Sequence, residues 1–132
     1  MGPIMTERVE VKMKRCFFIG HRDTPEAVFP ALCAAVEQHV MWGVTEFIVG
    51  SRGAYDRLAT DAIVLVKQRH PRVRLIRLLS YLPTGDEATA LGFDGSVYPA
   101  GLESTPPVYA IVRANQWAVD NATHLIAYVR YS

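Results

Sequence analysis

Apolar residues along the chain fall into two kinds of run. Cys16-Phe17-Phe18-Ile19, Glu46 to Val49, Val73 to Leu79 and His124 to Val129 are short and largely unbroken. They lack the period-two alternation of a half-solvated sheet, so they predict strands covered on both faces. Between them the spacing lengthens to that of a helix. Thr24-Pro25-Glu26 carries a candidate N-cap and a proline at a first helical position. Pro30 would break an interior hydrogen bond, so a single turn is expected at 25–28 and a helix from about 30 to 40. Leu32, Cys33, Val36 and Val40 form its apolar face, and Gly43 ends it. A second helix is expected from about 54 to 68, with Tyr55, Leu58, Ala59, Ala62, Ile63 and Val66 inward and His70-Pro71 as its stop. A third is expected from 107 to 120, with Val108, Ile111, Val112, Ala118 and Val119 inward and Asn115 on the same side.

Strand–helix alternation of this kind predicts an α/β fold, a parallel sheet with helices on both faces. Arg74 and Arg77 within the third strand mark it as an edge, which favours the strand order 3-2-1-4. Connections then leave in opposite directions from strands 1 and 4, and the crevice above such a point is where doubly wound folds bind ligands. Residues 80–106, rich in glycine and proline yet carrying Tyr81, Phe93 and Tyr98, show no period and read as a lid or binding loop. Residues 1–13 read as a lead-in and 14–132 as a single domain.

Net charge is +1, too little for a general attraction to nucleic acid or membrane. No apolar run approaches the length of a bilayer span, and the first residues lack the apolar core of a signal peptide. Cys16 and Cys33 fit neither a disulfide framework nor a metal site and read as buried hydrophobes in a reducing, cytoplasmic setting. The four histidines show no pair at ligand spacing, and neither metal nor cofactor is expected.

The candidate chemistry gathers at the strand tips. Gly50-Ser51-Arg52-Gly53 joins a strand to a helix, and such a turn offers unpaired N–H groups to an anion over residues 51–54. The bland alternative is a tight connection with no ligand. Gly20-His21-Arg22 follows the first strand; Arg22, Arg52, Arg57 and Arg113 together suit phosphate oxygens, although each alone reads as a surface charge. Asp56, in the first turn of its helix, is either a dipole-favoured surface carboxylate or an acceptor for ribose hydroxyls or water. The fingerprints G-x-G-x-x-G and G-x-x-x-x-G-K-[ST] are absent.

Ile19-Gly20-His21-Arg22, Gly50 through Ala59, Ile111-Val112-Arg113-Ala114-Asn115 and Leu125-Ile126-Ala127-Tyr128-Val129, with Gly-Phe-Asp-Gly…Tyr-Pro at 92–99, form an ordered set. That set resembles the SLOG superfamily, and within it the small YpsA-like bacterial members. The resemblance covers about residues 15 to 129. It implies a Rossmann-like three-layer α/β/α fold whose strand-tip loops bind nucleotides or nucleotide-derived ligands, with Gly20, His21, Arg22, Gly50, Ser51, Arg52, Gly53, Asp56, Arg57, Arg113, Asn115 and Tyr128 as the contacts. The turn at 50–56 is also similar to the glycine-rich turn of the DprA/Smf proteins, which bind single-stranded DNA. Nothing matches the Pro-Gly-Gly-x-Gly-Thr-x-x-Glu of the lonely-guy phosphoribohydrolases. Relatives continue past the last strand with a loop and a further helix, whereas this sequence stops at Tyr131-Ser132. The site is therefore expected to be incomplete or the chain shortened.

Three functions follow as expectations. The first is binding of a nucleotide derivative, with no assigned catalytic residue. The second is hydrolysis of an N-glycosidic or phosphate bond, with Asp56 orienting water. The third is single-stranded DNA binding, against which the near-neutral charge argues. A homo-oligomer is also expected, burying the third helix or the edge of the last strand.

Overall fold

The computed structural model describes residues 13–51, 53–82 and 92–129. The bulk of the expected lead-in, the contact Arg52 and residues 83–91 of the expected lid lie outside the described residues. Among the described residues, five parallel strands form one sheet: β1 (Arg15–Ile19), β2 (Glu46–Val49), β3 (Arg74–Leu78), β4 (Gly95–Val97) and β5 (His124–Ala127). Their order is β4-β3-β2-β1-β5. Helices α1 (Phe29–Met41) and α2 (Gly53–Lys67) cover one face and α3 (Pro107–Asn121) the other. This is the expected three-layer α/β/α arrangement of a Rossmann-like fold.

Local chemistry explains the first two helices. Pro30 occupies the first turn of α1, where no helical N–H is needed, and the expected turn before it is one 3-10 turn at Glu26–Val28. At the other end Gly43 takes φ +95°. Its N–H donates to the Val40 carbonyl at 2.9 Å and that of Val44 to the His39 carbonyl at 2.9 Å, the paired bonds of a Schellman stop. All six residues expected on the inner face of α2 are buried. They meet Phe18, Phe47, Val49 and Leu75 of the sheet, with Leu32 and Val36 of α1 alongside.

Three expectations are corrected. The third strand is interior, because β4 pairs with it (Ile76 with Gly95, Leu78 with Val97). Three residues reading Gly-Ser-Val carry no strand pattern; Asp94 puts them in place. Its carboxylate accepts the Leu75 N–H at 2.8 Å and the Lys67 ammonium, while its own N–H donates to the Leu75 carbonyl at 2.8 Å. Part of the expected lid is thus sheet. The Asp94 environment pulls two ways: burial pushes the carboxyl up, but the Lys67 and Leu75 hydrogen bonds outweigh it and hold the pKa below the ordinary aspartate value.

The inner face of α3 is the second correction. Ala110, Ala114 and Ala118 face the sheet, while Val108, Val112, Val119 and Asn115 are exposed. Phe17, Ile48, Ile76 and Leu78 already fill the layer between, so small side chains let the helix approach. Third, β5 is not covered on both faces: Ile126 is buried, but Leu125 is 46% exposed.

Candidate functional site

Two glycines and a tyrosine set the geometry of the strand tips. A β-carbon at Gly20 would lie 2.2 Å from the Tyr55 ring, so the loop after β1 rests on that ring with no room for a side chain. Tyr55 is held beneath it by donating its hydroxyl to the Ile126 carbonyl at 2.8 Å. Burial pushes the Tyr55 phenol far up, so it stays protonated and remains a donor. Gly53 takes φ +80°, and a β-carbon there would meet the Arg22 backbone at 2.8 Å. The Thr24 hydroxyl closes the same loop by donating to the His21 carbonyl at 2.5 Å.

The start of α2 is consequently engaged with protein. The Ala54 N–H donates to the Arg22 carbonyl at 2.8 Å. Of the amides of residues 51–54 expected to face an anion, that of Ala54 therefore already has an acceptor. Over Gly50 lies the side chain of Asp56, whose Oδ2 would sit 2.8 Å from a β-carbon added to Gly50. The glycine is what leaves space for the carboxylate.

Three cavities meet at Gly50 and Asp56. The smallest, 60 Å³, runs under Ser80, Ile111 and Asn115. The second, 280 Å³, opens toward α2 and β3 between Arg57, Thr60, Asp61, Arg77 and Phe93. The third, 290 Å³, opens over the tip of β1 between Phe17, Ile19, Gly20, Arg22, Ile111 and Asn115. One carboxylate thus stands between a compartment flanked by two arginines and a largely apolar one with a third arginine at its rim.

Of the residues expected from sequence, Gly20, Arg22, Gly50, Ser51, Gly53, Asp56, Arg57 and Asn115 line this cleft. Asn115 reaches it from the exposed flank of α3 rather than from a buried face. His21, Arg113 and Tyr128 lie outside these three cavities. The His21 and Tyr128 rings meet edge to face at 6.3 Å, and Tyr128 stacks on Tyr55 at 6.5 Å. Those contacts make them supports of the Gly20 loop. Arg57 approaches Glu26 at 3.7 Å, both side chains mostly in water, a pair of little energetic weight.

Arg77 belongs to the cleft without having been expected there, and Phe93 enters it from the stretch expected to be a lid or binding loop. Arg77 reads in sequence as a charge on an edge strand; its pairing opposite Val49 places it on the α2 face at the tip of β3. Phe93 comes from the segment that β4 organises, which sequence periodicity does not reveal. At the opposite end of the sheet His39 and His124, 85 residues apart, come within 5.5 Å between ring centres, with Trp42 beside both. Among the described residues no group of three or more His, Cys, Asp or Glu is placed to hold a metal ion. No helix among them is long and apolar enough to cross a membrane.

No protein-family model matches this chain, and no curated protein matches it. The Rossmann-like architecture is consistent with the SLOG superfamily in general and with nucleotide-binding folds broadly.

Proposed function

We propose that the cleft binds a nucleotide or nucleotide-derived ligand at the C-terminal ends of the strands, as the likeness to small YpsA-like SLOG proteins implies. The observation that carries this reading is the position of Asp56 over Gly50, at the junction of all three cavities. An ionised carboxylate accepts two hydroxyl donors, which a ribose diol supplies. Arg57 and Arg77 suit phosphate on one side, and the slot between Ile19 and Ile111 suits the flat apolar faces of a base on the other. Asn115 offers both a donor and an acceptor to a base edge.

Calorimetric titration with a panel of nucleosides, nucleotides and dinucleotides tests this. Saturable binding that Asp56→Asn weakens is the expected result, since the swap keeps the shape and removes the charge. Absence of binding across the panel, or affinity indifferent to Asp56, refutes it. Hydrolysis is the second reading, favoured by the same carboxylate standing where water and an anion would meet. Release of free base or phosphate that Asp56→Asn abolishes would make Asp56 a general base and replace the binder by an enzyme. DNA binding of the DprA/Smf kind finds less support, because a net charge of +1 provides no basic stripe for a phosphate backbone.

A further inference from the structure

The outer flank of α3 and the sheet beside it leave one apolar surface uncovered by the described residues. Val108, Val112 and Val119 are 73, 66 and 37% exposed. Spaced by four and seven, they form a single stripe along the helix. Ile19, Leu125 and Val129 are 43, 46 and 60% exposed. Parallel register sets Leu125 beside Phe17 and Ala127 beside Ile19. Phe17 packs into the α3-side core, so Ile19 and Leu125 also stand on that face of the sheet. Asn115, on the valine stripe, lines a cavity together with Ile19. The stripe therefore runs along the β1–β5 flank of α3, and the two apolar strips adjoin: a ridge of helix beside a step of bare sheet.

We infer that this surface is the twofold interface of a homodimer, the α3 ridge of each copy seated over the uncovered β1–β5 step of the other. A ridge next to a step is self-complementary, because one twofold rotation fills both steps at once. None of the six residues is ionisable, so two copies meet without like-charge repulsion. Their exposed area is on the order of 500 Å² per copy, near two-thirds of the roughly 800 Å² each partner contributes to a standard interface, leaving a polar rim to supply the rest. β5 is moreover an uncharged strand at the end of the sheet, which soluble proteins ordinarily cover. The surface shares Ile19 and Asn115 with the cavity over the tip of β1, so a partner seated this way also closes the open flank of that cavity.

Sedimentation velocity of the full chain at tens of micromolar tests it. The wild type is expected to sediment as a dimer. Val112→Asp and Leu125→Asp, both at exposed side chains, are each expected to raise the dimer dissociation constant roughly tenfold or more. Met41→Asp, on α1 across the sheet and 70% exposed in the wild type, is expected to leave the dimer intact. Circular dichroism melts verify folding; should an aspartate unfold the chain, Val112→Gln takes its place. A monomeric wild type, a dimer that neither flank substitution weakens, or a dimer that Met41→Asp alone dissociates overturns the inference.

Discussion

Gly20 and Tyr55 share one column of space, the backbone of the first lying against the ring of the second, so that a β-carbon would fall 2.2 Å away. The ring cannot yield, because its hydroxyl is bonded to the Ile126 carbonyl of β5 and its face is stacked on Tyr128. Gly20→Ala is therefore expected to lower stability by about 1–3 kcal/mol, the usual range for overpacking. Tyr55→Phe keeps the ring but leaves a buried carbonyl unpaired, a cost of about 1–3 kcal/mol. In urea titrations the Gly20→Ala, Tyr55→Phe double variant should lose at least as much as either single one. A neutral Gly20→Ala would mean that the loop moves freely off the ring.

Gly50 separates fold from ligand site. A β-carbon there meets the end of a flexible side chain, Asp56 Oδ2 at 2.8 Å, rather than backbone. Gly50→Ala is expected to displace the carboxylate from the cleft while changing the thermal midpoint little. Nucleotide affinity should then fall about as far as in Asp56→Asn. Unimpaired binding in a folded Gly50→Ala protein would show that the carboxylate position is irrelevant to the ligand.

Gly53 faces the harder constraint. Its φ of +80° disfavours any side chain, and the obstacle at 2.8 Å is the Arg22 backbone. Gly53→Ala is expected to cost about 1–3 kcal/mol and to detach the α2 start from the loop after β1. Hydrogen exchange reads the second effect directly: the Ala54 amide, bonded to the Arg22 carbonyl, should lose protection while the α2 interior keeps it.

Two carboxylates shape the response to acid. Asp94 is held below the ordinary aspartate value despite burial that pushes it up, through its bonds to Lys67 and Leu75. Glu37 is lowered by hydrogen bonds from His70 and then Arg69, which tie α1 to the end of α2. A carboxyl depressed in the folded state binds fewer protons there than in the unfolded chain. Its contribution is thus complete above the unfolded pKa and disappears as pH falls through the lower folded value. Chemical denaturation is expected to show stability declining from about pH 4.5 downward, the unperturbed glutamate range, and the decline should be shallower in Asp94→Asn. Asp94→Ala also removes the acceptor of the Leu75 N–H; about 1–2 kcal/mol should be lost and the protection of the β3–β4 amides with it.

How much was legible beforehand follows from which pattern each element carries. Unbroken apolar runs located β1, β2 and β3, and a helical period placed all six inward residues of α2, because Asp56, Arg57, Thr60 and Asp61 interrupt the apolar positions between them. The same reading ranked four strands in their observed order. Gly20, Gly50 and Asp56 were also visible, since a strand tip, a glycine and a helix start are local features.

Pairing and facing were decided by the tertiary structure alone. Gly95–Val97 became a strand because Asp94 bonds to Leu75, a contact across 19 residues that no local pattern records. In α3, alanines and valines occupy different sides, and periodicity treats both as apolar. The bulk of Phe17, Ile48, Ile76 and Leu78 selected the alanines and turned Val108, Val112 and Val119 outward. Arg77 entered the cleft for a similar reason: a charge in a strand signals an edge until the register shows which neighbour it stands beside. Sequence fixes which segments are apolar and at what period; close packing between layers, which depends on side-chain size across long separations, chooses the face each one buries.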